Sequence, residues 1–169
     1  MYQAKRSNSG CSVYDVQLDR HSVQRLELEK DLREAIENDT LELHYQPKVD
    51  LRSGAVIGVE ALLRWTHPQR GPVPPNELIP MTEETGLIKP LTMWVLNAAL
   101  HQCSEWRRAG IDLNVAVNLS VWNLQDPSLV DSIRAALATW GVPAASLGLE
   151  ITESGMMADQ ERALATLNA

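Results

Sequence analysis

The chain has 169 residues, 44% of them hydrophobic and 22% charged, a globular composition with enough apolar residues for one buried core. Its formal net charge of −7 leaves it without the cationic face that binding to a nucleic-acid polymer or an anionic membrane requires. Cys11 and Cys103 fit no metal or redox spacing, which suits packing thiols in a reducing cytoplasm, and no leader or apolar run of about 18 residues marks export or a membrane span.

Residues 1–10 open like the interior of a helix, as though cut from something longer; a frayed helical tail is the alternative. Over residues 24–38, Leu28, Leu32, Ala35 and Ile36 recur at helical spacing while Glu29 and Arg33 form an i,i+4 pair, which predicts an amphipathic helix. Residues 41–51 alternate, Arg52-Ser53-Gly54-Ala55 is a turn, and residues 56–65 return, so this region predicts an antiparallel hairpin. His44, Gln46 and Lys48 share one face of its first strand, where His44 reads as a partly buried, satisfied histidine. His67-Pro68 and the prolines between Pro72 and Pro75 predict a rigid loop. A short helix follows over 76–86, then a longer one over 91–108 with Leu91, Trp94, Val95, Ala98, Cys103 and Trp106 inward and Gly110 after it. Met81, Met93 and the tryptophans read as core. Residues 112–120 form the next strand; Asp126 caps and Pro127 starts a helix with the stripe Leu129, Ile133, Ala136, Leu137 and Trp140, closed by Gly141. Residues 146–153 form another strand, and 158–169 begin a further helix.

This alternation of strand and helix is the grammar of a (β/α) barrel. A closed barrel needs eight strands and typically about 250 residues. The expectation is therefore about the first half of an α/β barrel with an antiparallel first strand.

Three of the strands carry chemistry. In residues 56–65, Gly58, Glu60, Leu62 and Arg64 point one way and Val59, Ala61, Leu63 and Trp65 the other, because side chains alternate along a strand. Glu60 and Arg64 stand roughly 13 Å apart at the rise of an extended chain, too far to neutralise each other. Taken alone they also fit an edge strand with solvated charges. Two later strands weigh against that: Ala116, Asn118 and Ser120 share a face, as do Gly148, Glu150 and Thr152. In each strand a small residue lies two positions before an oxygen-bearing side chain, a pattern that points to one convergent site.

Glu60-Ala61-Leu62-Leu63-Arg64-Trp65 resembles the signature of EAL domains, bacterial phosphodiesterases that hydrolyse cyclic di-GMP. Tyr45-Gln46-Pro47, Asn118-Leu119-Ser120 and Leu149-Glu150-Ile151-Thr152-Glu153 resemble further motifs of that family, in order. The resemblance implies a TIM-like barrel of EAL type, with Glu60, Asn118 and Glu150 as ligands of Mg²⁺ or Mn²⁺, Arg64 on a phosphate, and Gln46 and Leu62 lining the nucleotide pocket. Glu153 corresponds to the glutamate that supports the catalytic loop, with ordinary surface placement as the alternative. Oxygen ligands of this kind suit hard cations, and no Cys/His set for zinc is present. The start of the chain, with Val13-Tyr14-Asp15, is similar to the end of a GGDEF domain. The implied division is a GGDEF remnant over 1–20, a connector helix over 21–40 and the first half of an EAL domain over 41–169.

The family's paired aspartates, catalytic lysine and last glutamate and glutamine would lie beyond Ala169. Two functions are therefore expected alternatives. One is part of a phosphodiesterase that converts cyclic di-GMP to linear pGpG in second-messenger signalling, inactive as this chain alone. The other is a non-catalytic module that binds the nucleotide or a protein. The resemblance also implies a homodimer or other self-association, an upstream GGDEF partner and a cytoplasmic location in a parent that upstream segments could tether to a membrane.

Overall fold

The computed structural model describes residues 16–151. Their elements run in the order α1 (Val16–Glu37), β1 (Glu42–Val49), β2 (Val56–His67), β3 (Gly71–Val73), α2 (Pro75–Thr85), α3 (Ile88–Arg108), β4 (Asn114–Leu119), α4 (Val121–Leu124), α5 (Leu129–Trp140) and β5 (Leu147–Ile151). The expected connector helix is longer than its apolar spacing indicated. The stretches 1–15 and 152–169, which hold the GGDEF-like segment, Cys11, Glu153 and the last expected helix, lie outside the described residues.

The hairpin forms as its turn chemistry requires. Asp50 Oδ1 accepts from the backbone N–H groups of Arg52 and Ser53 at 3.1 and 2.8 Å, and Gly54 takes the left-handed conformation at φ 70°, which costs glycine nothing. β1 and β2 then pair antiparallel, with Gln46 opposite Glu60 and Lys48 opposite Gly58. β2 runs parallel to β4, and β4 to β5, giving a sheet in the order β1-β2-β4-β5. Among the described residues this sheet does not close on itself.

One face of the sheet is buried by helices. Val59 and Ala61 of β2 and Val115 and Val117 of β4 pack against Leu96, Ala99, Leu100 and Cys103 of α3 and Ala136 of α5. Leu96, Leu100, Val115 and Val117 are wholly inaccessible. Removing an apolar side chain from such a site costs about 2–5 kcal/mol, so this layer sets the position of the strands. A second core joins Leu28, Leu32 and Ala35 of α1 to Trp65, Val73, Leu78 and Met81, holding the first helix over the far end of β2.

The structure corrects several sequence expectations. The stretch after β2 is no plain loop: β3 folds back antiparallel, with Trp65 opposite Val73. His67 there is buried because its Nε2 meets Asp31 Oδ2 of α1 at 2.8 Å while its Nδ1 accepts from the backbone of Gln69 and Arg70. On α3, Trp94 and Trp106 pack against the core but stay partly exposed, as does Ala98, and the fully buried stripe runs through Leu91, Val95, Leu96, Ala99, Leu100 and Cys103. Trp122 is half-exposed and so is not core. Asp126 lies before the start of α5; its carboxylate instead accepts from Ser128, and the helix begins at Leu129.

Candidate functional site

The face of the sheet opposite the helices carries the polar side chains. Glu60 and Arg64 of β2 point there because Val59, Ala61 and Trp65 are drawn to the core, and the period of two leaves them no other side. Asn118 of β4 and Glu150 of β5 are paired in register, so they emerge side by side. Asn118 Nδ2 donates to Glu60 Oε1 at 2.6 Å, which brings β2 and β4 together at this point. The Lys48 ammonium of β1 forms an ion pair with Glu150 Oε1. Gln46 stands beside Glu60 and is exposed. The four strands thus bring together Gln46, Glu60, Asn118 and Glu150.

Small residues make this convergence possible. Gly58 stands so close to β4 that an added Cβ would sit 2.8 Å from the carbonyl oxygen of Asn114, whereas one at Gly148 would lie 3.5 Å from Ala116 Cβ. Gly58, Ala116 and Gly148 therefore leave a bare strip beneath the polar groups.

The donor set fits a hard divalent cation. Glu60 and Glu150 could supply carboxylate oxygens, and Asn118 could supply its Oδ1 if its amide, which here directs Nδ2 at Glu60, were turned over. The Lys48 ammonium already offsets the charge of Glu150. Among the described residues no three His, Cys, Asp or Glu side chains cluster, so an Asn would have to complete the set.

Arg64 and Leu62 belong to an adjoining cavity of about 300 Å³, which Asn118, Ser120, Glu83 and Ile79 also line. Arg64 Nη1 donates to the carbonyl of Leu63 at 2.8 Å, leaving the rest of its planar fork available. His44, expected to be partly buried, is exposed and faces Glu42 at 3.8 Å. Glu153 lies outside the described residues.

Sequence reasoning missed two contributors. Ser120 Oγ donates to Glu83 Oε1 at 2.6 Å, tying α2 to the end of β4, and the same hydroxyl accepts from the backbone of Trp122 to start α4. Glu83 offered no signal beyond its place on a helix, since the contact spans 37 positions. Lys48 was visible on the face of Gln46, but nothing in the sequence linked it to Glu150.

The profile of the EAL domain family matches residues 29–169. The chain belongs to the EAL family. Over 169 residues this EAL chain is 43% identical to the bifunctional diguanylate cyclase/cyclic di-GMP phosphodiesterase MucR of Pseudomonas aeruginosa, covering 99% of this chain and 25% of that relative. It is 38% identical to the cyclic di-GMP phosphodiesterase PdeR of Escherichia coli, again over 99% of this chain and 25% of the relative. The chain thus spans a quarter of the length of both. Among solved structures, the PaMucR phosphodiesterase in complex with c-di-GMP matches with a TM-score of 0.78 and 46% identity, over 84% of this chain and 58% of that one. The FimX EAL domain of Xanthomonas citri in complex with c-diGMP matches with a TM-score of 0.78 and 29% identity, over 89% and 58% of the two chains. The mixed sheet of this EAL chain is accordingly part of a TIM-like barrel. Among the described residues no helix is long and apolar enough to cross a membrane.

Proposed function

We propose that this chain supplies one side of a cyclic di-GMP phosphodiesterase site, acting in cytoplasmic second-messenger signalling and joined to a GGDEF module upstream. The observation that carries the reading is the joining of Glu60 and Asn118 by a 2.6 Å hydrogen bond, with Glu150 in register beside Asn118 on the same face. The names of MucR and PdeR, and the nucleotide bound in the related structures, support it. Glu60, Asn118 and Glu150 would hold Mg²⁺ or Mn²⁺. Such an ion, when bound, makes water nucleophilic and offsets charge on the phosphate. Arg64 offers a planar fork suited to a phosphodiester oxygen pair, and Leu62 gives the adjoining cavity an apolar wall against the nucleotide. Gln46 lies within reach of the same ligand beside Glu60. By its resemblance to the family's loop glutamate, Glu153 would support the catalytic loop.

The test places this segment in a full-length EAL domain. Hydrolysis of cyclic di-GMP to the linear dinucleotide should require Mg²⁺ or Mn²⁺ and fall about 100-fold or more in Glu60→Ala, Asn118→Ala and Glu150→Ala. Full activity of Glu150→Ala in the presence of chelator would refute the assignment. A second reading, nucleotide binding without turnover, is favoured by the Lys48 ammonium on Glu150. The same assay separates the two, since a pure binder retains labelled cyclic di-GMP and releases no linear product.

A further inference from the structure

We propose that Lys48 is a built-in counter-cation for Glu150, which a divalent ion must displace, so that Lys48 sets the metal affinity of the site. The inference rests on the reading of Glu60, Asn118 and Glu150 as metal ligands. Lys48 lies in β1 and Glu150 in β5, the two outer strands of the order β1-β2-β4-β5. Three interstrand steps would hold these strands about 14 Å apart in a flat sheet, and because Lys48 lies level with Asn114 while Glu150 lies level with Asn118, the added offset along the strands would carry the pair beyond the joint reach of the two side chains. Their contact therefore requires the sheet to curl toward its polar face, with the lysine laid across it.

Lys48 is opposite Gly58, and the line from Lys48 to Glu150 passes over Ala116, itself opposite Gly148. Both partners remain about 40% exposed, so the ion pair is screened by water and exchangeable. An ammonium and a divalent ion both seek the same carboxylate oxygen. With the metal absent, Lys48 offsets the charge of Glu150 beside Glu60; a divalent ion would have to compete with the ammonium for that carboxylate.

The test uses the 169-residue chain and Mn²⁺, followed by the electron paramagnetic resonance of the free ion. Lys48→Met should bind Mn²⁺ about three- to tenfold more tightly than the wild type, because a nearby positive charge and a competitor are both removed. Lys48→Arg, which keeps the charge, should stay near the wild-type value. An independent readout is the ammonium resonance of Lys48 in ¹⁵N-lysine-labelled protein, which contains only Lys5, Lys30, Lys48 and Lys89. Mg²⁺ should shift that resonance in the wild type and leave it unmoved in Glu150→Gln; this readout stands if Lys48→Met fails to fold. Equal or weaker Mn²⁺ binding by Lys48→Met, alongside weakened binding by Glu150→Gln, overturns the role of Lys48 and spares the metal site. Unchanged Mn²⁺ binding in both Glu60→Gln and Glu150→Gln overturns the metal site and this inference with it.

Discussion

Gly58 and Gly148 occupy similar positions in sequence, each two residues before a site carboxylate, yet their surroundings differ. A methyl group at Gly58 would meet a backbone oxygen at 2.8 Å, and backbone within a paired sheet cannot step aside cheaply. Gly58→Ala should therefore cost about 1–3 kcal/mol, whereas Gly148→Ala, with its nearest neighbour at 3.5 Å, should lie within about 0.5 kcal/mol after allowance for glycine entropy. Urea unfolding of the two variants checks this, and equal midpoints would show that the strands adjust. Tyr45 gives a second prediction at this scale. Burial, with the ring edge-on to Trp106 at 4.9 Å, and the proximity of Cys103 push its hydroxyl up to about 12. The unfolded chain ionises near 10, so the folded state holds this proton more tightly. Its contribution to stability is complete below pH 10 and is lost as pH rises from 10 to about 12. Absorbance at 295 nm should show a late ionisation that Tyr45→Phe removes; a single step near 10 for every tyrosine would contradict it.

Helix α1 illustrates which contacts hold an element. Its apolar stripe of Leu28, Leu32 and Ala35 was readable from spacing alone, and all three are buried. Its charged contacts were only partly readable: Glu29 and Arg33 pair at 3.5 Å along the helix, but Arg25 reaches Glu84 on α2 and Asp31 reaches His67 on β2. Leu32→Ala should cost about 2–5 kcal/mol because the side chain is wholly inaccessible. Arg25→Ala should cost less than about 1 kcal/mol, since both partners of that ion pair are about half exposed. Chemical denaturation of the two variants measures both. A larger loss for Arg25→Ala than for Leu32→Ala would mean that charge, not packing, docks the helix.

Across the molecule, the unclosed sheet and its apolar fringe point outward. Leu51 is 98% exposed, and Val56, Ile57 and Ile111 are each about half exposed. Among the described residues β1 and β5 each pair on one side only. Unpaired edges and exposed apolar groups favour association, and specific association most often gives symmetric dimers. The 169-residue chain should therefore self-associate, with a scattering mass that rises with concentration. A constant monomer mass from micromolar to millimolar concentration would remove this expectation.

The sequence by itself determined what local periodicity and backbone chemistry control. Alternation placed Glu60, Arg64, Asn118 and Glu150 on polar strand faces, the apolar stripes marked α1, α3 and α5, and the Arg52 to Ala55 turn set an antiparallel hairpin. These signals are legible because burial of one face forces the opposite residues outward. The tertiary structure alone decided which strands are neighbours, and hence that Asn118 meets Glu60, that Ser120 meets Glu83 and that Lys48 reaches Glu150. It also decided that His67 is buried beside Asp31 while His44 is exposed. Those contacts join residues 36 to 102 positions apart, or turn on which side of an element another one covers. Such pairings depend on how the strands order and the sheet curls, which no local pattern encodes.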